Sequence, residues 1–368
     1  MRILLTGADG FIGKNLRVAL LERPGVEVLP ITRDSEPADL ERGASQADAV
    51  IHLAGVNRPT DPAEFESVNA GYTAALCTAL LATGRAIPVA FASSIQAVRD
   101  NAYGESKRAA EAHLTAYGAQ GGAPVALYRL VNVFGKWSRP NYNSAVATFC
   151  HNIARDLPIR IDNPDAPLQL VYIDDVVMEL LRFLQHPGEG VRLAEVGPVY
   201  TTTVGELAHQ IRAFRTMRDS LMTERVGTGL LRALYATYVS FLPPHAFSYP
   251  VPKYGDHRGV FVEMLKTMDS GQFSFFTAHP GVTRGGHYHH TKTEKFLVIK
   301  GRARYRFRHL ISDETFEVES SGDEPLVVDT IPGWAHDITN IGQEELVVML
   351  WANEIFDRQK PDTVASRV

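Results

Sequence analysis

Gly7-Ala8-Asp9-Gly10-Phe11-Ile12-Gly13 follows directly on the short apolar run of residues 2–6 and leads into an amphipathic stretch from Ile12 to Leu21. That order reads as strand, tight turn and helix. Glycines at 7, 10 and 13 let the backbone turn, approach a pyrophosphate and pack the helix on the strand. The unpaired N–H groups at the helix start then face the anion. Gly7, Gly10, Phe11, Ile12 and Gly13 are therefore candidate contacts to a dinucleotide.

Outward from this loop, short apolar segments at 26–31, 49–53, 88–92 and 125–130 alternate with helix-length segments. The rhythm predicts an α/β Rossmann-type, doubly wound parallel sheet covered on both faces. The residue ending the second strand selects the cofactor, because an acid there holds a ribose 2′-OH and an arginine pairs a 2′-phosphate. The chain reads Ile31-Thr32-Arg33, which favours NADPH, although Asp34 follows at once.

From about Gly255 the helices give way to short alternating runs such as Ala303–Arg308, an antiparallel β pattern. Two domains are expected, 1–245 and 246–368, since 368 residues exceed what one core usually fills. An apolar helix at 229–242, stopped by Pro243-Pro244, lies before the boundary and is expected to dock one domain on the other or on a second subunit.

Lys and Arg total 37 against 42 Asp and Glu, a formal charge of −5, which offers no bulk attraction to nucleic acid or an anionic membrane. Cys77 and Cys150 stand far apart and form no CxxC, so neither a disulfide framework nor a thiolate metal site is indicated. No secretory signal or bilayer-length apolar run is visible, and a soluble cytoplasmic protein is expected.

Tyr103 and Lys107 are one helical turn apart and can face one ligand. A lysine beside the phenol is expected to lower its pKa and prepare it to pass a proton to a ketone oxygen. Ser93 and Ser94 end a strand upstream.

With the glycine loop, His52-Leu53-Ala54-Gly55, Ser94, Tyr103/Lys107, Arg129–Gly135 and Val171–Val176 in place, residues 1–245 resemble the extended short-chain dehydrogenase/reductase (SDR) family. The resemblance implies that Ser94 polarises a carbonyl, that Tyr103 is the acid and that Lys107 also binds the nicotinamide ribose. It adds Leu53, Ala54 and Gly55 to the cofactor site. The Ser94-to-Tyr103 gap is short for the family, so Ser93 stays a rival for the serine role. Nucleotide-diphosphate sugars are the family's usual substrates. Lys136, Arg139 and Asn143, beyond Asn132, suit one, as does Arg58.

In the second half, Gly281, His287-Tyr288-His289, Glu294 and Gly301 reproduce the first cupin motif. His336 and Asn340 fall where the second motif has its histidine and asparagine, with Ile331 in place of its usual proline. His287 and His289, two apart on a strand, share a face, and Glu294 can enter from the next strand. An all-β cupin, a jelly-roll barrel, follows, with His287, His289, Glu294 and His336 as candidate metal ligands. Such a set suits Zn, Fe, Mn or Ni, and zinc is favoured because no redox cosubstrate motif accompanies it.

Residues 255–263 and 282–288 also resemble the dTDP-4-keto-6-deoxyhexose 3,5-epimerases, a cupin branch. That resemblance implies Arg258 and Arg284 on a substrate diphosphate, Glu263 positioning the sugar, and a base at His287, which conflicts with a ligand role there. His290, Lys292 and Tyr305 are the remaining candidates for moving a proton. Arg302, Arg304, Arg306 and Arg308 share one strand face and are expected to pair with Glu317 and Glu319 on the next strand.

Taken whole, with residues 55–59, 93–96 and 290–296, the chain resembles the bifunctional capsular-polysaccharide UDP-sugar enzymes. This implies C3 epimerisation of a UDP-2-acetamido-2,6-dideoxy-4-ketohexose by the cupin. NADPH reduction at C4 follows, giving UDP-2-acetamido-2,6-dideoxy-L-talose on a route to UDP-N-acetyl-L-fucosamine. A homodimer is expected by the same analogy. The alternative is a 4-keto-sugar-nucleotide reductase whose cupin serves only binding or dimerisation.

Overall fold

The computed structural model describes residues 1–251, 253–256, 259–262, 264–267, 271–354 and 359–368. Arg258 and Glu263, expected at a substrate diphosphate and sugar, lie outside the described residues. By compactness the chain forms two units, Met1–Arg139 with Leu168–Thr201, and Pro140–Pro167 with Thr202–Val368.

The first unit is built on a six-stranded parallel sheet. Strands β1 (Arg2–Thr6), β2 (Glu27–Ile31), β3 (Ala49–His52), β4 (Val89–Ser94) and β5 (Val125–Leu130) are joined by Val191–Ala194 at one edge. Their order, β2-β1-β3-β4-β5 and then the edge strand, reverses direction between β1 and β3. The carboxyl ends of those two strands therefore flank the crevice where doubly wound sheets bind ligands.

Both faces of this sheet are apolar because helices cover them. Leu4, Val50, Val89 and Val125 are wholly buried beside Leu40, Leu76 and Leu114, which come from helices α2 (Pro37–Gln46), α3 (Tyr72–Ala82) and α4 (Ala102–Gly121). The Asn101 side chain caps α4 by accepting the Gly104 N–H at 2.8 Å, which starts the helix one residue before Tyr103.

The second unit holds two five-stranded sheets. One runs 248–250, 326–329, 294–300, 346–352 and 272–278, all antiparallel neighbours. The other runs 315–321, 302–309, 334–340, 283–288 and 364–365, also antiparallel. Ala303, Tyr305 and Phe307 are buried, as the alternation predicts. The arginine pairing is partly different. Arg302 does meet Glu319 at 3.2 Å, but Arg306 pairs with Asp337 and Arg308 with Asp313.

The compact units do not divide at 245/246. Helix α6 (Ile173–Gln185) stays with the first unit, whereas helices α5 (Ala145–Ile153), α7 (Val204–Ser220) and α8 (Gly229–Ser240) pack on one another and go with the β sheets. Their apolar faces supply the reason, Phe214 of α7 meeting Tyr235 of α8 at 5.2 Å between ring centroids. Half-buried Arg218 and buried Lys295 then converge on Asp329 at 2.5 and 2.6 Å, tying α7 to a sheet. No helix among the described residues is long and apolar enough to cross a membrane.

Candidate active sites

At the end of β1 the glycine loop leaves no room for side chains. Gly7 has φ +67°, and a Cβ there would lie 2.7 Å from the Ala54 nitrogen. One on Gly13 would lie 2.3 Å from the Gly7 carbonyl oxygen. Only bare backbone lets the α1 (Phe11–Leu21) terminus sit this close to both strand ends, leaving its first N–H groups for a pyrophosphate. Gly7→Ala should therefore lower thermal stability and abolish NADPH protection against unfolding, both read by differential scanning fluorimetry.

Thr6 and His52 lock the floor of this crevice. The buried imidazole bridges the Thr6 and Thr73 hydroxyls at 2.6 and 2.8 Å, and Thr6 Oγ1 accepts the Ala54 N–H at 3.2 Å. Burial, with the Lys107 charge, lowers the His52 pKa to about 3, so it is a neutral spacer. Arg33 stands exposed just past β2, with no ion pair to a described residue, as a contact to an external phosphate requires.

Tyr103 lies in the first turn of α4, near the Ser94 side chain and against the Phe65 ring at 5.7 Å between centroids. The two serines differ in their partners: the buried Ser93 hydroxyl donates to Glu111 Oε1 at 2.5 Å, whereas the Ser94 hydroxyl accepts the Gln96 N–H at 3.1 Å. Burial raises the Tyr103 pKa, with the Ser94 side chain opposing it. The sequence led us to expect a lowered value; desolvation of the phenolate outweighs it. For reduction this is the useful direction, since the phenol keeps its proton.

Lys107 is buried, donates to the Ala92 carbonyl at 3.0 Å and sits over the Phe91 ring. Burial lowers its pKa to about 8 against the opposing Glu111 charge. A Cβ on Gly55 would lie 3.3 Å from its ammonium nitrogen, which places the loop after β3 beside it. Asn69 holds that loop, pairing with the Val56 N–H and carbonyl at 2.8 and 3.0 Å and donating to Ser106 Oγ at 3.0 Å.

The candidate substrate contacts fare unevenly. Asn132 is exposed and donates to the Gln169 carbonyl at 3.0 Å, and Arg58 and Arg139 are exposed on the same unit. Lys136 is corrected: it is 2% exposed and donates to Asp174 at 2.8 Å, so its charge is spent internally rather than on a phosphate. Arg284 is exposed, lies over the Phe276 ring and donates to the Thr277 carbonyl at 3.1 Å.

In the second unit, one nitrogen or oxygen from each of His287, His289, Glu294 and His336 lies within 4.8 Å of the others. His287 and His336 are directly opposed on paired strands, with a bulge between Gly285 and His287. Glu294 opens a strand of the other sheet, its N–H held by Thr330 Oγ1 at 2.9 Å.

This set fits a divalent cation. His289 Nδ1 contacts the Asp362 carbonyl at 2.5 Å and its Nε2 contacts Glu294 Oε2 at 3.0 Å, so two acceptors flank one ring. A neutral imidazole has a single proton to give them, whereas a cation in place of the second proton satisfies both. Both ring nitrogens of buried His336 have no hydrogen-bond partner among the described residues. Burial, with neighbouring positive charge, lowers the His287 pKa to about 4 and holds His336 far below its ordinary value, which keeps their lone pairs available. Burial alone would raise the Glu294 pKa, but contact with the His289 ring and nearby positive charge hold it far below the carboxylate range.

Asp362 belongs to no motif legible in the sequence. Its carboxylate accepts the N–H groups of His290, Thr291 and Lys292 at 2.8, 2.7 and 2.7 Å, and despite burial these hold its pKa at about 2. Asn69 was equally silent. Glu111 was readable as a residue four beyond Lys107 on the same helix face.

Residues 3–197 match the NAD dependent epimerase/dehydratase family, and residues 254–364 match the polysaccharide biosynthesis C-terminal domain. Over its full length the chain is 58% identical to the UDP-2-acetamido-2,6-beta-L-arabino-hexul-4-ose reductase of Pseudomonas aeruginosa, covering 100% of this chain and 99% of the relative. The chain belongs to the NAD dependent epimerase/dehydratase family and, within it, to the full-length family of that reductase. The capsular polysaccharide assembling protein CapF from Staphylococcus aureus is 40% identical with a TM-score of 0.69, each chain covered in full. RMD from Pseudomonas aeruginosa, solved with NADPH, is 26% identical with a TM-score of 0.53, over 58% of this chain and 84% of that one.

Proposed function

We propose that the chain is a cytoplasmic, bifunctional nucleotide-sugar enzyme of capsule or O-antigen synthesis. Its β unit, a metal cupin, epimerises C3 of a UDP-2-acetamido-2,6-dideoxy-4-ketohexose, and its SDR unit then reduces the C4 ketone to give UDP-2-acetamido-2,6-dideoxy-L-talose. The reading rests on one observation above others: each compact unit carries its own constellation, Ser94/Tyr103/Lys107 in the first and the three histidines with Glu294 in the second. The names of the Pseudomonas and Staphylococcus relatives support the substrate class and the capsule setting.

When bound, NADPH supplies the hydride and a divalent metal, zinc by preference, supplies Lewis acidity at the ketone oxygen. Gly7, Gly10, Phe11, Ile12, Gly13, Leu53, Ala54 and Gly55 bind the dinucleotide, and Arg33 pairs the 2′-phosphate. Ser94 orients the ketone, Tyr103 gives its proton to the carbonyl oxygen, and Lys107 holds the ribose and the local positive charge. Arg58, Asn132, Arg139, Arg258, Glu263 and Arg284 contact the UDP-sugar. His287, His289, Glu294 and His336 hold the metal, and His290, Lys292 or Tyr305 moves the C3 proton. Epimerisation comes first because the ketone that acidifies C3–H is gone once C4 is reduced.

Proton NMR of product formed with NADPH in deuterated water tests the reading: deuterium at C3 is expected, and product without it removes the epimerase. Arg33→Asp should raise KM for NADPH about tenfold or more while leaving NADH turnover little changed, measured by steady-state kinetics.

Turnover at saturating substrates should fall as pH rises through about 8, where Lys107 loses its charge; Lys107→Arg, which stays charged, should remove that limb. The stability sign is opposite. A lysine pKa lowered by folding makes the unfolded chain bind more protons between about 8 and the ordinary 10.5, so the cost of burying this charge is relieved over that window.

A further inference from the structure

The last residues of the chain lie against the histidine cluster in a way that cupin-like motifs do not encode. Val364 and Ala365 add a short strand to Tyr288 and His287, and the Ser366 N–H donates to the Gly286 carbonyl at 2.9 Å. Thr363 Oγ1 accepts from Lys292 Nζ at 3.1 Å, and that same ammonium lies 3.3 Å from Glu294 Oε1. Arg308 donates to Ser366 Oγ and the Arg367 carbonyl at 3.1 Å each, pinning the far end.

Asp362 joins this strap to the ligands by two routes. Its carboxylate gathers three consecutive N–H groups of the 290–292 turn, which connects His289 to Glu294. Its carbonyl meets His289 Nδ1, and because a carbonyl only accepts, the proton must sit on Nδ1 and the lone pair on Nε2, the nitrogen facing Glu294. Backbone and side chain of one residue therefore set both the turn that spaces the ligands and the tautomer of the most buried histidine of the cluster.

We propose that the strap at 362–366 is a working part of the metal centre and that Asp362 is its positioning residue. This rests on the metal reading given above. Because the strap touches His287, His289 and Lys292 and belongs to neither ligand motif, metal affinity depends on a segment more than 20 residues beyond the last ligand, His336. Metal binding and docking of the strap stabilise one another by linkage.

The test uses the full chain and Zn²⁺ as the probe. By chelator competition the unaltered protein should bind about one zinc per chain, and Asp362→Ala should bind it about 10–100-fold more weakly, the range for losing an outer partner of a metal ligand. NADPH affinity should not change. Asp362→Ala with zinc affinity within twofold of the unaltered protein would overturn the proposal. Should that variant fail to fold, hydrogen exchange on the unaltered chain decides: zinc should slow exchange in peptide 359–368 as well as in 287–294. Equal exchange of 359–368 with and without zinc overturns the strap while the metal reading stands. Absence of stoichiometric zinc in the unaltered protein sinks the metal reading itself, and the strap's role with it.

Discussion

Tyr103→Phe lowers NADPH oxidation by about 10²–10⁴-fold, the usual worth of a positioned proton donor, while solvent deuterium continues to enter C3 of the 4-keto sugar. The expected loss follows from the site's electrostatics. Burial raises the Tyr103 pKa, so the phenol carries a proton at neutral pH. Phenylalanine keeps the ring that packs at 5.7 Å on Phe65 and removes only the hydroxyl, so folding and cofactor binding should survive. Stopped-flow absorbance reads the first activity and proton NMR the second. If both vanish together, the two chemistries share a site and the two-centre reading fails.

His336→Ala produces the opposite pattern, with bound metal lost and C3–H exchange reduced on the order of 10³-fold, corresponding to the several kcal/mol that a Lewis acid contributes to a developing enolate. His336 is the informative ligand because it is buried and both its ring nitrogens lack hydrogen-bond partners among the described residues. Its replacement takes away a donor atom without orphaning another group, although the cavity left between Phe296 and Phe307 will cost some stability. Reduction of an already epimerised substrate by NADPH should continue. Elemental analysis checks the metal, and unchanged metal content in this variant would remove His336 from the ligand set.

Much of the parallel sheet was legible in the sequence because its signals are local. A glycine loop between strand and helix, repeated apolar strands and a tyrosine and lysine one turn apart each lie within a few residues, and the six-stranded sheet follows their order. The alternation in 302–309 likewise announced buried Ala303, Tyr305 and Phe307. Lys136 shows the opposite case. A lysine among candidate substrate residues looks like a phosphate contact until Asp174, 38 positions away, is found beside it.

Ser93 and Ser94 are likewise distinguished by a distant partner. Neighbouring serines at a strand end are equivalent on paper, and Glu111 on a separate helix engages one of them. The expected boundary at 245 was blurred by α5, α7 and α8, whose apolar faces cluster with the second unit rather than following chain order.

Periodicity and motif spacing thus indicated which elements form and which loop can cradle a dinucleotide, and the resemblance to the cupin motifs singled out four side chains suited to a metal, since each signal lies in short stretches of chain or in intrinsic donor chemistry. Folding in three dimensions settled which charges are consumed internally, which phenol keeps its proton and which distant carbonyl orients His289. Those outcomes depend on burial and on contacts across tens of residues, and neither quantity is written in any short stretch of the chain.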